Sequence, residues 1–154
     1  MKYGAGFTIL RDNADKGAHA IPISSQTVLV GDLLDLAVGA TTWTVCTSSS
    51  VSYTRKALAI SSATSSDTEV NAIELDGSED VQVQGANAGA TADNGDRMAL
   101  TDKNTVNNSG TDVTTTTVAF VQRGTVGANT AGQTSEYQIW GNVLLGNGVV
   151  STVS

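Results

Sequence analysis

Apolar and polar residues alternate along this chain in short runs, and clusters of Gly, Asp, Asn, Ser and Thr separate the runs. A period of two marks strands with one buried face, and frequent turn chemistry between short strands marks an all-β fold. Tyr3, Phe7 and Ile9 fall at odd positions, as a first strand or an extended arm requires. Residues 28–36 form a mostly apolar run broken by Gly31-Asp32. Further on, Trp43 and Val45 share one face of a strand while Thr42, Thr44 and Cys46 share the other. Residues 51–60 continue the alternation through Tyr53, Arg55, Ala57 and Ala59. The clearest hairpin is predicted over residues 69–84, where Asp76-Gly77 supplies the positive φ of a tight turn. Later strands are predicted at 98–100, 113–117, 118–126 and 137–145, with 101–111 as a polar stretch turning at Asn107-Asn108-Ser109-Gly110. No sustained helical period appears, and a short helix within 12–20 or 61–70 is the most the sequence allows. Pro22, the single proline, suits the start or the edge of a strand because it lacks an amide donor.

Length and composition narrow this picture. A chain of 154 residues fits one domain, divided here into residues 1–20 as an N-terminal arm or edge strand and 21–154 as a single β domain. With 5% aromatic residues, the core must rest on Val, Ile, Leu and Ala. The expected architecture is a small antiparallel β-barrel or β-sandwich with long loops and an extended N-terminal arm. No exact internal repeat is present, although the two Gly-Asp strands, at Gly31-Asp32 and Gly95-Asp96, hint at one. A formal net charge of −7 argues against nucleic acid, which is bound through clustered Lys and Arg. Cys46, the single cysteine, excludes an intrachain disulfide and a thiolate metal cluster. Residues 7–10 are too short for the apolar core of a secretory signal, and no run of about 20 apolar residues is long enough for a membrane helix. The expectation is synthesis in a reducing cytoplasm, with no membrane partner.

Candidate chemistry gives little purchase. A Ser or Cys nucleophile needs a base, and His19, the single histidine, lies in a Gly/Ala-rich stretch. Cys46 reads as a small buried hydrophobe. Two oxygen-rich turns, Asp93-Asn94 with Asp96 and Asp76 with Glu79-Asp80, lack the ligand spacing of an EF-hand and read as turn chemistry. Asp32, Asp35, Glu69 and Glu74 read as solvated carboxylates, so acid–base catalysis is not expected. No catalytic, metal-binding or cofactor residues are assigned. Trp43, Tyr53 and Trp140 are candidates for stacking on a sugar, with core packing as the commoner fate of such residues.

A resemblance lies in the second half. Asn94-Gly95-Asp96-Arg97-Met98-Ala99-Leu100-Thr101-Asp102, a polar gap, the Thr-rich segment 113–117 and then Val118-Ala119-Phe120-Val121-Gln122-Arg123-Gly124-Thr125-Val126-Gly127 resemble the small cement (decoration) proteins of tailed-bacteriophage heads. Val28-Leu29-Val30-Gly31-Asp32-Leu33-Leu34 is similar to that family's first Gly-Asp strand, so the likeness spans roughly two thirds of the chain by motif alone. The resemblance implies a non-enzymatic structural protein, without cofactors, on the outer surface of the virion head. Its partner would be the major capsid protein, whose neighbouring subunits it bridges, and it would act as a homo-oligomer, with a trimer favoured. Tyr3, Phe7 and Ile9 on the N-terminal segment and Arg123 in a strand otherwise nearly uncharged are the expected contact residues. The alternative reading is a phage fibre, tail or cell-surface β-module that binds carbohydrate.

Overall fold

The computed structural model describes residues 6–11, 17–51, 54–76, 79–85, 97–107, 119–125 and 134–139. The described chain is all-β, as the alternation predicts. Its strands are β1 (Thr8–Arg11), β2 (His19–Pro22), β3 (Leu33–Leu36), β4 (Thr44–Val45), β5 (Arg55–Ala59), β6 (Glu69–Leu75), β7 (Asp80–Gly85), β8 (Arg97–Asp102), β9 (Thr105–Asn107), β10 (Ala119–Thr125) and β11 (Thr134–Ile139). They form two sheets, in the orders β2-β6-β5-β3-β4 and β1-β7-β11-β10-β8-β9.

Both sheets curl, and both do so in the same way. In the second sheet, β9 returns to pair in parallel with the end of β7, Gln84 facing Thr105 and Gly85 facing Val106. In the first, Ile23 just beyond β2 pairs in parallel with Trp43 just before β4. Five strands of each sheet therefore form a ring, and β1 adds to the second sheet outside its ring. Numbered along the chain within its own ring, each follows the spatial order 1-5-4-2-3, with 3 returning in parallel to 1. Strands of the second ring follow their counterparts by roughly 61 to 65 residues, a spacing expected of a repeated unit (His19 of β2 against Asp80 of β7, Glu69 of β6 against Thr134 of β11). β3 and β8, each entered through a Gly-Asp pair, hold the same place in their rings. The hint in the sequence was a structural repeat whose side chains have diverged.

The rings pack through one shared core. Ile21, Ile23, Val28, Leu34, Trp43, Ala57, Ala59, Ala63, Val70 and Ala72 fill the first ring. Alternate residues of the same strands, Leu33, Leu58 and Leu75 with Cys46, face the other way and join Val81, Val83, Met98, Leu100, Val106 and Phe120 of the second ring. β3 and β5 in the middle of the first sheet are thus buried on both faces, which is why β5 reads Ala-Leu-Ala without a polar break.

Several expectations need correcting. Residues 69–84 are not a hairpin. β6 pairs with β2 and β5, whereas β7 pairs with β1, β11 and β9, so the Asp76-Gly77 region carries the chain from one ring to the other. Within 101–111, read as polar, β8 runs on to Asp102, turns at Lys103-Asn104 and returns as β9. Thr105 and Val106 are buried there. The described parts of 12–20 and 61–70 contain no helix. Of the two readings of residues 1–20, arm or edge strand, the edge strand is found where the segment is described, since Thr8–Arg11 pairs antiparallel with β7 at the edge of the second sheet.

Candidate functional site

Four residues stood out in the sequence as contacts for a partner, and the structure does not gather them. Tyr3 lies outside the described residues. Phe7 is buried at 4% exposure and stacks on Phe120, with ring centroids 5.1 Å apart. It is a core residue rather than a contact, because an aromatic ring beside β1 finds more apolar surface inside the second ring than outside it. Ile9 pairs with Val81 on β1. Arg123 sits at a register shift of β10, where Gln122 faces Tyr137 but Gly124 already faces Glu136. Such a bulge inserts one extra residue and bends the strand. The row Ile9–Val81–Tyr137–Gln122 crosses four strands, which places β1 three strand spacings from β10 along the curled sheet.

Gly31 and Asp32 show what the Gly-Asp pair does. Gly31 has φ +90 and Gly6 has φ +124, and a Cβ on Gly6 would meet the Gly31 backbone at 2.9 Å. The two glycines let the entry to β1 cross the turn before β3, and Phe7 N–H donates to Gly31 C=O at 2.8 Å. Asp32 is buried at 1% exposure. Its Oδ2 accepts the Leu29 N–H at 2.8 Å and the Lys103 ammonium at 2.7 Å, while Oδ1 has no hydrogen-bond partner among the described residues. Lys103 belongs to the β8–β9 turn, and its carbonyl accepts the Leu33 N–H at 2.9 Å. One carboxylate therefore braces a local turn and clips the two rings together.

A second buried ion pair lies between β3 and β5, where Asp35 faces Lys56 in register. Lys56 is 1% exposed. Its ammonium donates to Asp35 Oδ1 at 2.8 Å, the Val51 carbonyl at 2.8 Å, the Thr54 carbonyl at 3.0 Å and Thr54 Oγ1 at 2.6 Å. The Thr54 hydroxyl also donates to Asp35. Such a cage compensates the desolvation of the charge and ties the 51–54 segment to the sheet. Cys46 lies in the core nearby, and burial pushes its thiol up to about 12. It carries no thiolate at neutral pH. Glu79, also buried, accepts the Asp76 N–H at 3.0 Å where the chain passes between rings.

These placements correct the reading of Asp32 and Asp35 as solvated carboxylates. The signal was present: Asp35 stands between Leu34 and Leu36, and Lys56 directly precedes the apolar 57–59 run. Charges inside apolar runs on neighbouring strands are candidates for a buried pair. Trp43 is also buried, with the Arg55 guanidinium 5.6 Å above its ring, so it offers no open face to a sugar. Tyr53 and Trp140 lie outside the described residues. Arg55 pairs with Glu74, and His19 Nε2 lies 3.7 Å from the same carboxylate.

Most of the described surface is polar, and the large hydrophobic side chains exposed among the described residues are Leu29, Val30, Val38 and Ile60. Leu29 and Val30 in the turn before Asp32, and Ile60 at the end of β5, are all about half exposed. They lie on neighbouring segments, since Gly31 N–H donates to Ala59 C=O and Val28 pairs with Ala63. No group of three or more His, Cys, Asp or Glu residues suited to hold a metal ion occurs among the described residues. No helix of the described chain is long and apolar enough to cross a membrane. Comparison with known proteins finds no matching family model, no matching curated protein and no matching solved structure.

Proposed function

We propose that this chain is a non-enzymatic cement protein of a phage head, bound to the outer surface of the shell, where it bridges neighbouring major capsid protein subunits and stabilises the mature capsid. The observation that carries this reading is the use the fold makes of its reactive groups. Asp32, Asp35, Lys56, Lys103 and Glu79 all hold chain segments together, and Cys46 is sealed in the core. The surface that remains is a braced two-ring body with exposed aliphatics at Leu29, Val30 and Ile60. Such a body suits bridging: it resists deformation, and its contacts are the apolar and main-chain kind that many copies can repeat. Binding to the assembled shell and not to free subunits stabilises the shell by mass action. The Gly-Asp resemblance supports the same reading, because both Gly-Asp pairs enter corresponding strands of the two rings.

The test is co-sedimentation of the purified protein with expanded heads that lack it, with unexpanded proheads and unrelated particles as controls. Saturable binding to expanded heads, at a copy number matching a symmetry-related set of sites, is the expected result. Binding no greater than to unrelated particles overturns the proposal.

A further inference from the structure

The turn that carries Leu29 and Val30 is braced from several sides. Gly31 at φ +90 and the Asp32 N–H, donating to the Leu29 C=O at 3.0 Å, give residues 29–32 the form of a type II turn. Asp32 Oδ2 accepts the Leu29 N–H at 2.8 Å. Gly31 donates to the Ala59 C=O and accepts from the Phe7 N–H, both at 2.8 Å, and Val28 exchanges two hydrogen bonds with Ala63 at 2.9 Å each. One hydrogen bond is enough to define such a turn. Here a carboxylate buried at 1% exposure is added, held by Lys103 of the other ring at 2.7 Å, and burying that charge is costly. What the bracing fixes at the tip is Leu29 and Val30, exposed at 51% and 50%, with Ile60 at 42% on the adjoining segment.

The surroundings of this tip are uncharged. Residues 20–31 and 57–66, held side by side by the Val28–Ala63 and Gly31–Ala59 hydrogen bonds, contain no Asp, Glu, Lys, Arg or His. Exposed there, beside the aliphatics, are the hydroxyl side chains of Ser24, Thr27, Ser62 and Thr64. Charge returns at Asp67, whose carboxylate accepts the Thr64 N–H at 2.7 Å, and at Glu69 in β6. Across residues 20–66 the charges are Asp32, Asp35, Arg55 and Lys56, two of each sign, so the whole excess of −7 lies in the rest of the chain. Three of the four are buried, and Arg55, at the opposite end of β5 from Ile60, is paired with Glu74. An apolar centre, neutral polar neighbours and charge at the margin match the centre of a protein interface, where charged residues are depleted.

We propose that the Leu29–Val30 tip, with Ile60 beside it, is a preformed knob that inserts into an uncharged apolar depression on the major capsid protein. This rests on the cement reading above, and adds to it which face of the protein meets the shell and what kind of surface receives it. Charge decides the occupant. A charged patch on the partner would lose its water against Leu29, Val30 and Ile60 and find no counter-charge there. A second copy of this chain would bring its own net charge of −7, and the two would repel. The main-chain groups of Val28, Leu29 and Gly31 are already engaged, so the knob makes its contact through side chains and not by strand addition. Bracing the tip in advance reduces the conformational freedom lost on binding. Docked by this end, the protein leaves its excess carboxylates free to stay hydrated.

The test is co-sedimentation of the full chain with expanded heads that lack it, read as a Kd for the native protein and three variants. Leu29→Ser combined with Val30→Ser is expected to weaken binding by about ten-fold or more, and Ile60→Ser to weaken it in the same direction. Val38→Ser, at a turn 83% exposed beyond the other end of β3, is expected to leave it unchanged. The native Kd is expected to change by less than about three-fold between about 0.05 and 0.5 M salt, because contact between uncharged surfaces is not screened. Native binding that the double variant matches overturns the knob and leaves the cement reading standing, as does native binding that weakens steeply with salt. Native protein that sediments with expanded heads no more than with unrelated particles overturns both. Self-association of the native protein in solution, abolished in the double variant, assigns the tip to a second copy and likewise overturns the proposal. Should the double variant fail to fold by far-ultraviolet circular dichroism, Ile60→Ser decides the matter.

Discussion

At the scale of single residues, the fold depends on charges placed where an aliphatic core would have served. Lys56 is surrounded by a carboxylate, a hydroxyl and two carbonyls, and removing it leaves Asp35 buried without its cation. Lys56→Ala is expected to cost about 3–5 kcal/mol, whereas pairing Lys56→Met with Asp35→Leu restores most of the loss. Urea unfolding of the native protein and the two variants measures this directly, and equal loss in the single and double variants would remove the ion pair from the account. Cys46 makes a second prediction, in pH. Its thiol ionises near its ordinary value of 9.0 in the unfolded chain but only near 12 in the folded one. Above pH 9 the unfolded state binds fewer protons than the folded state, so stability falls as pH rises from 9 toward 12. The contribution of this residue is about 1.4 kcal/mol per pH unit. Cys46→Val is expected to flatten the denaturation midpoint over that window relative to the native protein.

At the scale of elements, the sequence was informative wherever the deciding contact was local. The alternation around Trp43 put Trp43 and Val45 on one face and Cys46 on the other, and the structure divides them the same way, between its two buried clusters. The stretches around β5 and β10 were also legible. Residues 69–84 were misread because Asp76-Gly77 has hairpin chemistry, while the partners of β7 come from β1, β9 and β11, far away in the chain. No local pattern encodes that choice. Phe7 was misread for the same reason, since its partner Phe120 is distant in sequence. Phe7→Ala is accordingly expected to destabilise the fold by about 3–5 kcal/mol, the cost of emptying a buried aromatic site. A variant that keeps full stability but loses partner binding would restore Phe7 to the surface role first expected of it. Gly31 marks where β1 crosses the turn before β3. Gly31→Ala places a methyl 3.0 Å from Gly6 Cα at φ +90, and a cost of at least about 1 kcal/mol is expected. A thermal melt superimposable on that of the native protein would show that the crossing has more room than the backbone indicates.

At the scale of the whole molecule, two rings of one topology share a core and are clipped together by Asp32 and Lys103. The sequence carried this repeat only as a pair of Gly-Asp dipeptides immediately before β3 and β8, because strand order depends on pairings between distant segments that leave no shared local pattern. The acidic balance, −7 overall, disfavours non-specific contact with nucleic acid. The candidate contact residues were the least legible part, since a docking surface has no motif and is defined by what the fold leaves uncovered.

The central claim is that binding makes a mature head harder to break. The most direct measurement is the temperature at which filled heads release their DNA, followed by dye fluorescence, for heads without the protein and for the same heads saturated with it. The account predicts release at a higher temperature in the saturated heads, rising with occupancy until the sites are full. Release at the same temperature at full occupancy would contradict it, because a protein that binds without raising the barrier to rupture is not a cement.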